Sequence, residues 1–172
     1  METDTEIRNL SSGEYRDFLE ENHLQGAVNS KTKVGLFHND TLVSAIGLST
    51  RSGYTTIDRF VSKAGTRVVG GFSRLIKHSD VTGVVRTHSA NRYASGNLYA
   101  SQGFSLISET RYTLGYTDGR RYLPRQRFQK HKLASIYPEY NGEPVHEFLK
   151  EKNIFPYYGA GVKTWEKTYL PQ

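Results

Sequence analysis

The chain has 172 residues, of which 36% are hydrophobic, and no cysteine. That length supports a self-sufficient core, and the missing thiols exclude disulfides, thiolate nucleophiles and cysteine-based zinc sites. A formal charge of +6 points to polyanionic partners such as nucleic acid or a phosphate-bearing cofactor.

The opening METDTEIRN is acidic and polar, unlike a secretion signal. With no apolar run of about 18 residues, a cytoplasmic protein with no membrane partner is expected. Residues 1–10 read as loosely ordered. Ser11 with Glu14 three residues on has the form of a capping box, and Tyr15, Phe18 and Leu19 follow at helical spacing before Gly26. Two apolar-rich runs flank Asn39-Asp40 in TKVGLFHNDTLVSAIGLS, which predicts a tight hairpin. In YTTIDRFVS, Tyr54, Thr56, Asp58 and Phe60 alternate with Thr55, Ile57, Arg59 and Val61, which predicts a third strand. Phe72, Leu75 and Ile76 then have helical spacing, VTGVVRTH is a β-branched strand, and SGNLYASQGF is a short helix ending at Gly103. SLISETRYTLGYTDGRRY predicts a long strand pair turning at Asp118-Gly119. After the loop EYNGEP a last short helix is expected near 145–150. The aromatic segment IFPYYGAGVKTWEK is expected to form irregular structure or an edge strand, with Trp165 as a core anchor.

Two phrases carry chemistry. RVVGGFSRL sets two glycines ahead of a helix. Such a turn points several N–H groups outward, and with the helix dipole these hold a phosphate or pyrophosphate; a Cβ would block the approach. The candidate cradle is Arg67, Val68, Val69, Gly70, Gly71, Phe72, Ser73 and Arg74, although an ordinary strand-to-helix joint has the same pattern. GNLYASQGF places Tyr99 four residues before Gly103 on a short helix, either as a reactive phenol or as a packed aromatic above a glycine C-cap.

Together these phrases, with one strand between them, resemble the GNAT superfamily of acyl-CoA N-acyltransferases, over residues 30–118. Arg67 and Gly70 match the R/Q-x-x-G-x-G/A loop of that family, and Tyr99, Gly103 and Phe104 match its Tyr-x-x-x-Gly-Phe phrase. Phe72 departs from the small last residue of the loop, and Arg92, with Asn91 beside it, stands where an Asn is expected. The resemblance implies an α+β fold with a mixed, mostly antiparallel central sheet flanked by helices. It also implies an acetyl-CoA or other acyl-CoA cofactor on the glycine loop, and Tyr99 as the acid that protonates the departing thiolate. FLEENHLQG, VVGGFSRL, RYASGNLYASQGF and RQRFQKHKL further resemble a phage module of the Mom-like, DNA-modifying type, also found behind nuclease domains. Those relatives carry an acid where Ala90 stands here, and His88 and Asp58 are candidate substitutes. Arg59 resembles an arginine of the same group; it serves either a cofactor or DNA phosphate, or an inter-strand ion pair.

RRYLPRQRFQKHKL contains six bases and no acid. Arg120, Arg121, Arg125, Arg127, Lys130 and Lys132 are candidate nucleic-acid contacts, with Tyr122 and Phe128 interleaved for stacking; the alternative is a solvated basic helix. The six histidines have no metal-ligand spacing, so no metal is expected, and no nuclease centre is visible. The expected organisation is a GNAT-like core over 1–118 and a basic extension over 119–172. The expected function is acyl transfer from a CoA-type donor to an amine on DNA; the alternative is an inactive DNA-binding module.

Overall fold

The computed structural model describes residues 5–171. Strand β1 (Thr5–Asn9) lies in the stretch expected to be loose, of which residues 1–4 are outside the described residues. What orders it is non-local: it pairs antiparallel with β2 (Thr32–His38), from Thr5 opposite His38 to Asn9 opposite Val34. Helix α1 (Ser12–Asn22) begins with the predicted capping box. Glu14 N donates to Ser11 Oγ at 3.2 Å and Ser11 N donates to Glu14 Oε2 at 2.9 Å. Strands β2 and β3 (Thr41–Arg51) turn at Asn39-Asp40, both at positive φ, 47° and 58°, as a primed hairpin turn demands. Then follow β4 (Tyr54–Ser62), α2 (Gly71–His78), β5 (Gly83–Ala90), α3 (Asn97–Ser101) and β6 (Ser105–Glu109).

Beyond β6 the structure departs from the predicted long strand pair. Strand β7 (Thr113–Thr117) forms a separate three-stranded sheet with β8 (Tyr122–Pro124) and β9 (Phe155–Gly159), in the order β8-β7-β9. The chain does turn at Asp118-Gly119, where the Asp118 carboxylate accepts the N–H groups of Arg120 and Arg121. The segment expected to be irregular or an edge strand forms an edge strand, β9, followed by an internal strand, β10 (Val162–Tyr169). Strand β10 completes the seven-stranded sheet β1-β2-β3-β4-β5-β10-β6. Trp165 anchors it from the core, 8% exposed, with Nε1–H donating to Ser89 Oγ at 2.9 Å. The pairs β1–β2, β2–β3 and β3–β4 are antiparallel and β4–β5 is parallel. The fold is therefore α+β with a mixed, mostly antiparallel sheet flanked by helices.

The chain forms two compact units. The first comprises the described residues up to Ser89, then Tyr93–Ser108 and the described residues from Lys163; the second comprises Ala90–Arg92 and Glu109–Val162. The boundary expected at 118/119 thus falls inside the second unit, and β10 belongs to the first. In the first unit Phe72, Leu75 and Ile76 of α2 pack with Ile46, Leu48, Ile57 and Val85. Tyr15, Phe18 and Leu19 of α1 pack in a separate cluster with Phe37, Ala45 and Val61. Helices therefore cover both sheet faces, because alternate strand residues are apolar on each.

The second unit has its own core. Tyr116 and Leu123 meet Phe128 of a 3-10 turn (Arg125–Phe128), Leu133 of α4 (Lys130–Ile136), and Phe148 and Leu149 of α5 (Val145–Glu151). The basic stretch is pinned down by Leu123, Phe128 and Leu133, all buried.

Candidate functional site

The site grows from one irregularity in the first sheet. Strands β4 and β5 pair in parallel at Thr55–Val85, Thr56–Arg86 and Ile57–Thr87. Past Ile57 the strands are no longer paired. At the same point on the other side of β4 the register against β3 shifts between Gly47 and Leu48, so that Asp58 is the extra residue of a bulge. A wedge opens between the two strands from the last paired rung onward.

Tyr99 of α3 reaches that rung. Its ring packs against Phe72, Phe104 and Trp165, with centroid separations of 6.1, 5.8 and 6.4 Å, and the residue keeps partial exposure. Burial pushes the phenol above its ordinary pKa, while a hydrogen bond with Thr87 and the charge of Arg59 oppose the rise. The hydroxyl is therefore protonated across the neutral range and able to donate.

The glycine turn leads into α2. Gly70, the N-cap, has φ of 70° and makes no side-chain cap, and no acid stands in the first turn. A Cβ placed on Gly70 would meet nothing within 4 Å, so the turn opens to solvent. Gly71 N–H closes onto Val68 O at 3.4 Å and Arg74 N–H onto Gly70 O at 3.0 Å. The Phe72 and Ser73 amides lie in the first helical turn, where no intrahelical acceptor exists. Phe72 itself is 3% exposed and sits in the core at 5.1 Å from the Phe60 ring. The bulky residue at the small-residue position thus leaves the cradle clear. Arg67 and Val69 are exposed. Ser73 Oγ donates to Gln102 Oε1 at 2.6 Å, tying α2 to the end of α3, and Arg74 Nη2 donates to Thr5 Oγ1 at 3.0 Å, so Arg74 is engaged at β1. An open turn with the Phe72 and Ser73 amides free of intrahelical acceptors, and with no acid in the first turn of α2, suits the phosphate part of an acyl-CoA. A hollow of about 350 Å³ lined by Ser73, Lys77, Gln102, Lys167 and Tyr169 continues alongside α2.

The other candidates are distributed as follows. The Asp58 carboxylate accepts from Ser30 Oγ at 2.8 Å and from Ser49 Oγ, and the Tyr15 hydroxyl lies 3.5 Å from Ser30 Oγ. Arg59 Nη1 donates to the Asp58 carbonyl at 2.9 Å and Nε to the Gly26 carbonyl at 3.5 Å. Among the described residues Arg59 is in no ion pair, and its charge reaches Tyr99. His88 does not join Tyr99. On β5 the side chains of Val85, Thr87 and Ser89 are buried while His88 is exposed on the opposite face, with Nδ1 3.1 Å from Thr164 Oγ1. Desolvation, then the Arg86 charge, holds its imidazole below the usual value.

Asn91 is structural: its N–H donates to Gly161 O, and its Nδ2 donates to Glu109 Oε1 and Ala160 O, each at 3.1 Å. Arg92 Nη1 donates to the Tyr157 hydroxyl at 2.9 Å. In the basic stretch Arg120, Arg121, Arg125, Arg127, Lys130 and Lys132 are all exposed. Arg121 pairs with Asp118 at 3.1 Å and Lys132 Nζ donates to the Gln126 carbonyl at 3.2 Å. Arg120, Arg125, Arg127 and Lys130 have no ion-pair partner among the described residues. Nor do those residues contain a His, Asp and Glu cluster suited to a metal.

Thr87, Ser30, Ser49 and Lys167 were not anticipated from sequence. The inward hydroxyl of Thr87 was readable from the alternation of VTGVVRTH, but its partner on a distant helix was not.

No family model matches the sequence, and no curated protein does. The chain is similar to the ribosomal-protein alanine N-acetyltransferase of Escherichia coli, with a TM-score of 0.58 and 10% identity, covering 96% of this chain and 94% of that one. It is also similar to a Bacillus subtilis acetyltransferase in complex with CoA, at a TM-score of 0.52 and 13% identity, covering 98% and 100% of the two chains. A GNAT family acetyltransferase from Elizabethkingia anophelis with acetyl-CoA bound gives a TM-score of 0.50 at 11% identity, covering 96% and 99%. The sheet order, the parallel β4–β5 pair and these likenesses agree: the chain has the GNAT acetyltransferase fold.

Proposed function

We propose that the protein transfers an acyl group from an acyl-CoA to an amine carried by nucleic acid. The observation that carries this reading is the wedge between β4 and β5, with the Tyr99 phenol at its closed end and the open Gly70 turn heading the next helix. A CoA thioester supplies an acyl carbon already activated toward an amine. Arg67 and the amides of Phe72 and Ser73 bind the pyrophosphate, and Lys77 and Lys167 line the adjoining hollow. As the C–N bond forms and the C–S bond breaks, Tyr99, neutral and fixed by Thr87 and three aromatic rings, gives its hydroxyl proton to the leaving thiolate, and the proton shed by the acylated nitrogen restores the phenol. The attacking amine arrives unprotonated, since Asp58 is held by two serines and His88 faces away from the phenol.

The exposed basic stretch and the Mom-like resemblance support nucleic acid as the acceptor, with an exocyclic base amine as the reacting group. Such an amine must leave the stack to react. A second reading, a DNA-holding scaffold without chemistry, is favoured by the serine-bound state of Asp58. One experiment separates the two. The protein is incubated with acetyl-CoA and either single-stranded or duplex DNA, thiol release is followed, and the nucleosides are weighed by mass spectrometry. A nucleoside heavier by one acetyl group, formed with release of CoA, is the expected result. Unmodified nucleosides and intact thioester overturn the acyl-transfer reading and leave the scaffold.

A further inference from the structure

The second unit carries an aromatic surface that acyl transfer does not use. In its small sheet Thr117 lies opposite both Tyr122 and Phe155, and Gly115 lies opposite both Pro124 and Tyr157. Opposed residues share a face. Thr113, Gly115, Thr117, Tyr122, Phe155 and Tyr157 therefore line one side, while Tyr116 and Leu123 turn into the core on the other. Gly115 is the floor of the first side. A Cβ there would strike the Tyr122 ring. Its absence lets Tyr122 lean across the middle strand to 5.8 Å from Tyr157, edge to face, and the Tyr157 hydroxyl is held by Arg92. Tyr122 is nevertheless 56% exposed and Phe155 42%. Large rings left in water on one face of a well-packed unit mark a contact surface. Tyr122 also sits within the basic run, directly after Arg120 and Arg121 and shortly before Arg125 and Arg127, and all four are exposed.

We propose that this face is a stacking platform for the unpaired bases of single-stranded nucleic acid. Tyr122 and Phe155 lie against base faces, and Arg120, Arg125, Arg127 and Lys130 hold the phosphates. The platform presupposes the nucleic-acid reading of the basic stretch and adds which form is held. The bases of a duplex have both faces covered by their neighbours and offer a ring nothing to stack on, whereas an unpaired base does. Rings alone would also suit a sugar or a protein patch; four exposed cations in the same run as Tyr122, without ion-pair partners among the described residues, select a polyanion.

The test is fluorescence anisotropy of the full chain with a labelled oligothymidylate and with a labelled duplex of the same length. The single strand is expected to bind more tightly. Tyr122→Ala and Phe155→Ala are each expected to weaken single-strand binding by about 5- to 150-fold, the range for losing one base–ring stack, with the duplex unaffected. Tyr122→Phe keeps the ring and is expected to retain full binding, which also reports on folding. Equal affinity for both forms, with no effect of either alanine, overturns the platform and leaves the basic stretch as a general polyanion site. Loss of both single-strand and duplex binding in Tyr122→Ala also overturns it, because the ring would then be structural. Binding of neither form at low salt overturns the platform and the nucleic-acid reading together.

Discussion

Replacing Gly70 by Ala separates the stability of the turn from its ligand. Gly70 has φ of 70° and ψ of 4°, a left-handed conformation that costs a residue with a Cβ roughly 1–2 kcal/mol. Since that Cβ meets nothing within 4 Å, the cost to the unliganded protein stops there. At about 2–4 °C per kcal/mol for a chain of this size, the midpoint should fall by roughly 2–8 °C. Acetyl-CoA at about 100 times its dissociation constant stabilises the parent protein by roughly 2.7 kcal/mol, a rise of about 5–11 °C on the same scale. In Gly70→Ala the methyl group stands where a phosphate oxygen must come within about 2.7–3.2 Å of the amides. A tenfold loss of affinity cuts the gain at the same ligand concentration to about 1.4 kcal/mol, and a hundredfold loss to about 0.4 kcal/mol. Gly65→Ala is the matched control: φ is 73° and nothing lies within 4 Å of its Cβ, but it precedes Arg67 and has no place in the cradle. Thermal unfolding of the three proteins with and without acetyl-CoA is the assay. Equal ligand shifts in the two variants would remove Gly70 from the binding site, and no shift in the parent at millimolar ligand would remove the donor.

Three further outcomes are expected. Tyr99→Phe keeps the packing against Phe72, Phe104 and Trp165 and loses one hydrogen bond, so stability should drop by about 0.5–1.5 kcal/mol while kcat falls about a hundred- to ten-thousand-fold; an unchanged kcat in steady-state assays of thiol release would show that the phenol does not donate. Burial raises Tyr15, Tyr99 and Tyr169 above the ordinary 10.0. The folded state then holds these protons more tightly than the unfolded state, so their contribution is complete below about pH 10 and is lost as pH rises through the higher folded values. Calorimetry beside tyrosinate absorbance checks this, and a midpoint that climbs above pH 10 contradicts it. Leu133→Ala, at 0% exposure in the second core, should cost about 2–5 kcal/mol. Hydrogen exchange should show the loss in the amides of β7, α4 and α5 and not in β3, and uniform loss across both units would contradict the division of the cores.

The legible parts of the chain were those where local pattern and tertiary fate agree. Ser11 and Glu14 cap each other within one turn, Asn39-Asp40 closes a hairpin between adjacent strands, and Phe72, Leu75 and Ile76 share one helix face whatever they pack against. The strand β1 was invisible because TEIRN owes its form to pairing with β2, which local alternation does not encode. The stretch from 105 to 117 misled for a related reason. Its β-propensity is continuous, but Ser105–Glu109 and Thr113–Thr117 are claimed by different sheets, and the choice depends on β10 arriving some fifty residues later. Tyr99 and Gly70 were legible as residue types. Their setting was not, since the wedge lies beside a bulge at Asp58 that no local pattern announces, and Thr87 meets Tyr99 only once β5 and α3 are in place. Asp58 illustrates the limit from the other side: a carboxylate on the right strand is committed to Ser30 and Ser49, partners 28 and 9 residues away.

The two proposed anion sites differ in what supplies their positive potential, and salt should tell them apart. The turn at Gly70 uses backbone amides and a helix dipole, with Arg67 as its one side-chain cation unengaged among the described residues. The stretch from Arg120 to Lys132 works through exposed side chains, four of them without an ion-pair partner among the described residues. Counterion release gives a slope of about −0.7 per phosphate contact on a single strand, so four contacts predict a slope near −3 and about a fiftyfold loss of affinity between about 50 and 200 mM salt. A pyrophosphate held mainly by neutral donors should show a slope shallower than about −1 over the same range. Arg125→Ala/Arg127→Ala/Lys130→Ala should then flatten the nucleic-acid slope by about two units and leave the acetyl-CoA shift where it was. If instead both ligands lose affinity in parallel with salt, or the triple variant weakens acetyl-CoA as well, the two ligands share one electrostatic site, and the assignment of donor and acceptor to separate anion sites fails.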